Sequence, residues 1–192
     1  MWRIGYNTRM TTTATNVSIL PALRRRVESA TLSDIMHANV WYGNARTLAE
    51  RMVNINPAYT VEIAATIIAA FSPRVRWETN VRKALAFTAG MRVRGLRDHT
   101  RKAHLAERIG FDAIPFRTAP KTHSFARNIA GDMDAVTVDI WMCRAAEIGR
   151  DRPTIRQYRA IADAVRTLAA EYNMTPATMQ ALIWIVERGR AE

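Results

Sequence analysis

Cysteine and lysine are scarce in this chain, and long apolar runs are missing. Cys143 is the single cysteine among 192 residues, which excludes an internal disulfide and any site built from four cysteines. No apolar run approaches the about 18 residues that a membrane span needs, and the first residues lack the pattern of a secretory signal. We therefore expect a cytoplasmic protein that does not associate with membranes.

The charge is strongly one-sided. The chain has 28 basic and 17 acidic residues, a net charge of +11 and a pI near 10.9. Such an excess favours a polyanionic partner, most often nucleic acid. The basic residues are 25 arginines and only three lysines, Lys83, Lys102 and Lys121, so a lysine at a chemically suggestive position stands out. The four histidines and Cys143 show no metal-ligand spacing, so we expect neither a metal nor a cofactor.

Helical periodicity dominates the sequence and predicts an all-α protein of roughly eight or nine helices. The only strand-like run, "AVTV", is too short for a sheet. The stretch 60–71 is apolar nearly all round and predicts a buried central helix. Caps, prolines and glycines set the other bounds, with an N-cap at Ser33 or Asp34, helix starts at Pro120 and Thr175, and helix ends at Gly90, Gly110, Gly131 and Gly149.

These segments predict one helical domain with two lobes. We expect residues 1–20 to be a poorly ordered lead-in and residues 21–192 to form the domain. Within it, residues 60–131 form a central lobe, and residues 21–59 with 132–192 form the second lobe. No flexible linker is evident, and we expect a monomer.

Two charged residues stand at neighbouring predicted helix starts. Asp139 begins the helix in "VTVDIWMCRAAEIG", and Lys121 lies one residue after Pro120. The partial positive charge of a helix N-terminus favours an ionised carboxylate and a neutral amine. A neutral amine is a nucleophile, and an ionised carboxylate stabilises a developing cation. Without further context, helix capping is the commoner role for such an aspartate.

The same stretch resembles the helix-hairpin-helix DNA glycosylase superfamily of the endonuclease III type. "VDIWMCRAAEIG" is similar to the family's segment with the catalytic aspartate, and "TAPKTHSFARNIAG" to the segment with the lysine of its lyase members. "IIAAFSPRVRWETNVRKAL" and "QALIWIVERGR" resemble two further family segments, so the resemblance covers about residues 60–190. It implies a two-lobed helical fold, without an iron–sulfur cluster because the four cysteines are absent.

The resemblance also implies an enzyme that acts on a base extruded from double-stranded DNA, with Asp139 and Lys121 as catalytic residues. Trp77, Phe125, Trp141 and Trp184 are candidates for stacking on that base, although Trp184, within "ALIWIV", is expected in the core. We expect Trp77 and the basic residues of the cleft to contact DNA. The full set of candidate DNA contacts is Arg74, Arg76, Trp77, Asn80, Arg82, Thr122, His123 and Arg127.

This chain departs from the family pattern at two further places. "RTAPK" stands where the family has hairpin glycines that offer N–H groups to phosphate, and "IWM" replaces the usual "THV" after the aspartate. Two alternatives to a glycosylase therefore stay open. One is a bacteriophage transferase that hypermodifies thymine in DNA, acting in a phage-infected cell. The other is a DNA-binding module that keeps the fold without the chemistry.

Overall fold

The structure, a computed structural model, describes the backbone of residues 14–189 and the side chains of residues 19–189. This part of the chain contains nine α-helices, a short 3₁₀ helix and no strand, so the predicted all-α class is confirmed there. The elements are α1 Ala14–Glu28, α2 Leu32–Ile55, α3 Val61–Phe71, α4 Trp77–Thr88, α5 Arg97–Ile109, the 3₁₀ helix Gly110–Ala113, α6 Pro120–Ala130, α7 Ile140–Ala145, α8 Ile155–Glu171 and α9 Pro176–Arg188.

The predicted lead-in over residues 1–20 is too long. Helix α1 begins at Ala14, and Ile19 on it is buried in the interior together with Leu23. An apolar side chain removed from water stabilises the folded chain, so α1 belongs to the folded part from Ile19 onward. Residues 1–13 lie outside the described residues.

Helix starts follow hydroxyl caps. Thr31 caps α2 by accepting a hydrogen bond from the Asp34 N–H, and the Asp34 carboxylate accepts one from the Thr31 N–H, which completes a capping box. The predicted cap at Ser33 or Asp34 is therefore wrong, because Asp34 occupies the third helical position. Thr60 caps α3, and Thr175 caps α9 ahead of Pro176, as expected.

Helix ends follow backbone conformation. Gly131 adopts the left-handed conformation with φ of 105° and ends α6 at the predicted place. The helix after Asp139 was predicted to continue to Gly149, but α7 ends at Ala145. Glu147 adopts a φ of 54° and Gly149 a φ of 70°, and neither value is compatible with a continuing right-handed helix.

Two clusters of buried side chains fill the interior. The terminal core joins α1, the first half of α2, residues 136–138 and helices α7 to α9, whereas the central core joins the second half of α2 with α3 to α6. Helix α2 runs through both cores, since Tyr42 packs in the terminal core and Met52 in the central one. The predicted lobe boundary near residue 60 therefore differs from the packing, which divides the chain within α2.

Helix α3 is the buried centre of the second cluster, as predicted. All residues from Ala64 to Phe71 are buried, and α3 packs against α5 and α6. Complete burial of a side chain such as Phe71 or Ile68 contributes about 1.5–3 kcal/mol. Apolar as α3 is, the part of the chain described here has no helix with the length and hydrophobicity needed to cross a membrane.

Candidate active site

A pocket of about 400 Å³ lies where the terminal and central cores meet. Its walls come from α2, the α3–α4 connection, α4, the N-terminal parts of α6 and α7, and α9. The lining residues are Trp41, Tyr42, Ser72, Arg74, Val75, Arg76, Trp77, Asn80, Lys121, Phe125, Thr137, Asp139, Ile140, Trp141, Gln180, Ala181, Trp184 and Arg188. The two residues singled out for chemistry, Lys121 and Asp139, thus line one pocket.

Asp139 caps α7 and faces the pocket at the same time. Its Oδ1 accepts hydrogen bonds from the backbone N–H of Trp141 at 2.9 Å and of Met142 at 3.1 Å. Its Oδ2 accepts from the indole Nε1 of Trp184 at 3.1 Å. Three donors on two oxygens fix the orientation of the carboxylate. A carboxylate held in this way is suited to stabilising positive charge on a ligand in the pocket.

Lys121 is the second residue of α6, directly after Pro120 at the first helical position. The rigid proline and the two buried cores fix where this first turn starts, and the side chain is half-buried at the pocket wall. No hydrogen bond or ion pair joins the Lys121 amine to another described residue. The amine is therefore available to a ligand in the pocket.

Three tryptophans form one wall. The ring centroid of Trp41 lies 5.9 Å from that of Trp77 and 5.3 Å from that of Trp184. The expected core position of Trp184 is wrong in part, because the side chain packs on the terminal core yet lines the pocket and bonds Asp139. Trp41 was missed, since nothing in its sequence neighbourhood distinguishes it from a core aromatic. Flat rings at this spacing suit a planar ligand.

The mouth of the pocket is positively charged. Arg74 and Arg76 are exposed on the α3–α4 connection, where Arg74 adopts a φ of 62°. Arg188 lies over the Trp184 ring, with its guanidinium carbon 4.8 Å from the ring centroid. These three arginines face the single carboxylate of Asp139 in the lining. The field favours an anionic ligand or an anionic group on a larger one.

Asn80 lines this pocket as a buried residue rather than as a surface contact. Its side chain is 1% exposed, so it cannot touch the backbone of a bound nucleic acid. The same inner part of the pocket holds Tyr42, Thr137 and Gln180, all of them buried. Tyr42 and Gln180 were missed, because only their contact across α2 and α9 marks them.

Three candidate DNA contacts on α6 are not part of this pocket. His123 and Arg127 line a separate groove, where His123 Nδ1 lies 2.9 Å from the carbonyl oxygen of Ile114. Arg127 pairs with Asp132 at 2.7 Å. Thr122 is half-buried and does not line the pocket either. The helical period explains this, because α6 turns these side chains away from the face that carries Lys121 and Phe125.

Arg82 lies on another face of α4, in a groove with no acidic lining residue. Its Nη2 donates to Thr79 Oγ1 at 3.3 Å. The groove is lined by Thr79, Arg82, Lys83, Ala86, Arg92, Val93 and Arg94. A second, more diffuse cationic surface thus accompanies the pocket on α4.

The single cysteine takes no part in the site. Cys143 is fully buried in the terminal core, and burial together with the nearby Asp139 charge raises the pKa of its thiol to about 12. Cys143 is therefore inert, because a protonated and inaccessible thiol is not a nucleophile. In residues 14–189 no group of three or more His, Cys, Asp or Glu side chains could hold a metal ion.

Comparison with known proteins gives a family but no relative of known activity. No curated protein and no solved structure matches the chain. One family model matches residues 6–191, which include every residue of the pocket. The chain belongs to this family, DUF7178, which is described as a family of unknown function.

Proposed function

We propose that this protein binds DNA and processes a nucleobase extruded into the pocket, as an enzyme of the DNA N-glycosylase type. The observation that carries the proposal is the presence of an unpaired amine, Lys121, and an oriented carboxylate, Asp139, in one aromatic pocket. Enzymes that act on a base must first take it out of the stack, and they hold it between aromatic or apolar side chains. Trp41, Trp77 and Trp184 supply such a wall.

The chemistry follows from the two charged groups. The Lys121 nitrogen forms a bond to C1′ of the sugar while the glycosidic bond breaks, and the base leaves with that electron pair and the proton of the amine. The ring C1′–O4′ bond then opens, O4′ takes the second proton and a Schiff base remains. Positive charge develops on the sugar during bond cleavage, and Asp139 stabilises it.

The hydrogen bonds at Asp139 suit the carboxylate to this role. Both of its oxygens accept bonds from the protein, which holds them in one orientation at the pocket wall beside the sugar. The superfamily resemblance and the all-helical architecture are consistent with the proposal.

The positive mouth supports DNA as the partner. Arg74 and Arg76 are exposed beside the pocket, and neither has an ion pair among the described residues. The cationic groove on α4 extends the same charge away from the mouth. Phosphate contacts of this kind give affinity without sequence preference. They also offer an alternative to the hairpin glycines, which the segment before Pro120 lacks.

Borohydride trapping tests the proposal. The purified full-length chain is incubated with duplexes that each carry one damaged or modified base, and adducts and released bases are measured by mass spectrometry. We expect a reduced protein–DNA adduct that Lys121→Ala abolishes and Lys102→Ala retains, because Lys102 lies outside the pocket and pairs with Asp98 at 2.6 Å.

The reaction products distinguish a glycosylase from the two alternatives, a transferase and a DNA-binding module. DNA that gains mass while keeping every base would indicate a transferase that modifies the base. Unchanged DNA across the panel, with binding retained in Lys121→Ala and Asp139→Asn, would indicate a binding module. Either result contradicts the glycosylase-type proposal.

A further inference from the structure

The inner end of the pocket contains two buried side-chain amides that have donors or acceptors without hydrogen-bond partners in the protein. Asn80 is 1% and Gln180 is 4% exposed, and both line the pocket. Neither Nδ2 nor Oδ1 of Asn80 has a hydrogen-bond partner among the described residues, and both atoms are almost fully enclosed. A buried amide that has lost its bonds to water without replacing them is rare in folded proteins. A ligand that displaces the side chains covering this amide would supply the missing bonds.

Gln180 presents donors only. Burial raises the pKa of Tyr42, so its hydroxyl stays protonated and donates to Gln180 Oε1 at 2.5 Å. That bond occupies the carbonyl oxygen and sets the orientation of the amide. The Nε2 group makes no hydrogen bond to another described residue. Gln180 thus leaves N–H donors for a ligand.

Two helices repeat the same order of side chains along the depth of the pocket. At the start of α4 the order from the mouth inward is the N-cap residue Arg76, then Trp77 and Asn80, and on α9 it is Arg188, Trp184 and Gln180. Each amide lies three or four positions from its tryptophan, which is about one helical turn and the same helix face. The amides are buried, whereas both tryptophans are only partly buried.

This order matches the parts of a nucleotide. Cations at the mouth suit a phosphate, rings below them suit the face of a base, and amides at the floor suit the hydrogen-bonding edge of that base. Lys121 and Asp139 line the same pocket from α6 and α7. Amides are suited to reading a base edge, because one side chain offers a donor and an acceptor side by side.

We propose that Asn80 and Gln180 determine the base specificity of this site by reading the edge of a pyrimidine. The proposal rests on the proposed function and deepens it. Asn80 offers one donor group and one acceptor, and Gln180 adds a second donor group. The edges of thymine, uracil and cytosine each present two acceptors and one donor, which this set satisfies in full.

The hydrogen-bonding edges of purines do not match the two donor groups and one acceptor of Asn80 and Gln180. Guanine presents one acceptor and two donors, so one of its N–H groups would meet an N–H group of the floor. Adenine presents one donor and one acceptor, which leaves the Gln180 donor without a partner. An unpaired buried polar group rejects the wrong ligand strongly. The pocket volume of about 400 Å³ lies within the usual range of ligand sites, so the selection comes from hydrogen bonds rather than from size.

Binding to five matched duplexes tests the inference. Each duplex places T, U, C, A or G opposite an abasic-site analogue, so that extrusion costs about the same for every base. Fluorescence anisotropy with the full-length protein gives the five dissociation constants. We expect pyrimidines to bind at least about fivefold more tightly than purines, which is the low end for a paired hydrogen-bond contact to a base.

Two variants of Asn80 and one control complete the design. Asn80→Ala and Asn80→Leu should bring the purine-to-pyrimidine ratio close to one and keep the salt-dependent affinity for duplex DNA. Asn44→Ala removes an exposed asparagine of α2 and should keep the preference. Equal affinity for all five bases, a purine preference, or a preference that survives both Asn80 variants would overturn the inference.

The binding test is independent of the chemistry. A pyrimidine preference without any trapped adduct would overturn the glycosylase-type reaction and leave the reading of the base edge intact. An adduct formed equally on purines and pyrimidines would overturn the reading of the base edge alone. The ratio between T, U and C then identifies which pyrimidine edge the floor accepts best.

Discussion

Two regions of the molecule bury the same type of side chain and use it in opposite ways. At the α6–α7 connection, Asn128 in the last turn of α6 is 1% exposed, and its Nδ2 donates to the carbonyl oxygens of Asp132 at 2.9 Å and Ala135 at 2.8 Å. Its Oδ1 accepts from Thr137 Oγ1 at 2.8 Å. In the pocket, Asn80 is also 1% exposed and makes no hydrogen bond to a described residue.

The arginines of the two regions differ in the same way. Arg127 in the last turn of α6 pairs with Asp132 of the connection at 2.7 Å, whereas Arg74 at the pocket mouth has no ion pair among the described residues. The connection leads from the end of α6 to Asp139, so its saturated polar groups hold the carboxylate in place. In the pocket, by contrast, polar side chains lack hydrogen-bond or ion-pair partners. This lowers the stability of the folded protein and leaves these side chains available to a ligand.

The largest effect is expected when the unpaired Lys121 amine is removed, because the pocket uses this group for function and not for stability. Lys121→Ala should lower turnover by at least about 10³-fold, because it deletes the nucleophile. The free energy of unfolding should change by less than about 0.5 kcal/mol, since the side chain is half-buried and unpaired. Single-turnover kinetics and urea titration measure the two effects. Full activity of this variant would show that Lys121 is not the nucleophile.

The two asparagines offer a matched pair of variants. Asn128→Leu should lower the free energy of unfolding by about 3 kcal/mol or more, because it leaves two carbonyl oxygens and the Thr137 hydroxyl without partners. Asn80→Leu should be neutral or stabilise by about 1 kcal/mol, since it removes a buried amide that has no partner. Urea unfolding of both variants checks the difference. Equal destabilisation would mean that Asn80 is bonded in the free protein.

The two arginines sharpen the comparison at the level of DNA affinity. Arg74→Ala should weaken duplex binding about threefold to tenfold and lower the slope of log K against log salt by about one. Arg127→Ala should leave affinity and salt slope unchanged and cost at most about 1 kcal/mol of stability, because its side chain is 47% exposed. Anisotropy titrations at several salt concentrations measure both. A common loss of affinity would place the α6–α7 connection at the DNA surface.

Local features of the fold could be predicted from the sequence because their signals are local. Pro120 at the start of α6, Gly131 at its end and Asp139 as the cap of α7 each act within one helical turn. The cap of α2 was misplaced because "TLSD" offers three capping side chains within four residues, and Thr31 with Asp34 at the third helical position forms the capping box.

Long-range features of the site could not be predicted in this way. The bond from Trp184 to Asp139 joins residues 45 positions apart, and the bond from Tyr42 to Gln180 joins residues 138 positions apart. Asn80 and Asn128 are also the same residue type in the sequence. The hydrogen bonds of the Asn128 amide are satisfied, whereas the Asn80 amide has no partner. Which amide is left for a ligand depends on the packing of α2, α4 and α9 around the pocket, and no residue pattern within one helix contains that information.

The smallest expected effect concerns the pH dependence of the connection. Burial alone would raise the pKa of Asp132, but the Arg127 guanidinium and the backbone N–H groups of Asp134 and Ala135 outweigh it and hold that pKa below its ordinary value. The stabilisation by ionised Asp132 is therefore complete above the unfolded-state pKa of about 4 and is lost as the pH falls below it.

Asp132→Asn should consequently cost up to about 1 kcal/mol at pH 7, and the gap to the unmodified protein should shrink as the pH approaches about 3. Urea midpoints at pH 7, 5, 4 and 3 measure the gap. Asp163→Asn serves as the control, because its side chain is 74% exposed and pairs only with Arg166 on the same helix, so the variant should stay near the unmodified protein at pH 7. The absence of a gap for Asp132→Asn at pH 7 would mean that the side chain acts through hydrogen bonds common to aspartate and asparagine rather than through its charge. The contrast between the two regions would then rest on the asparagines alone.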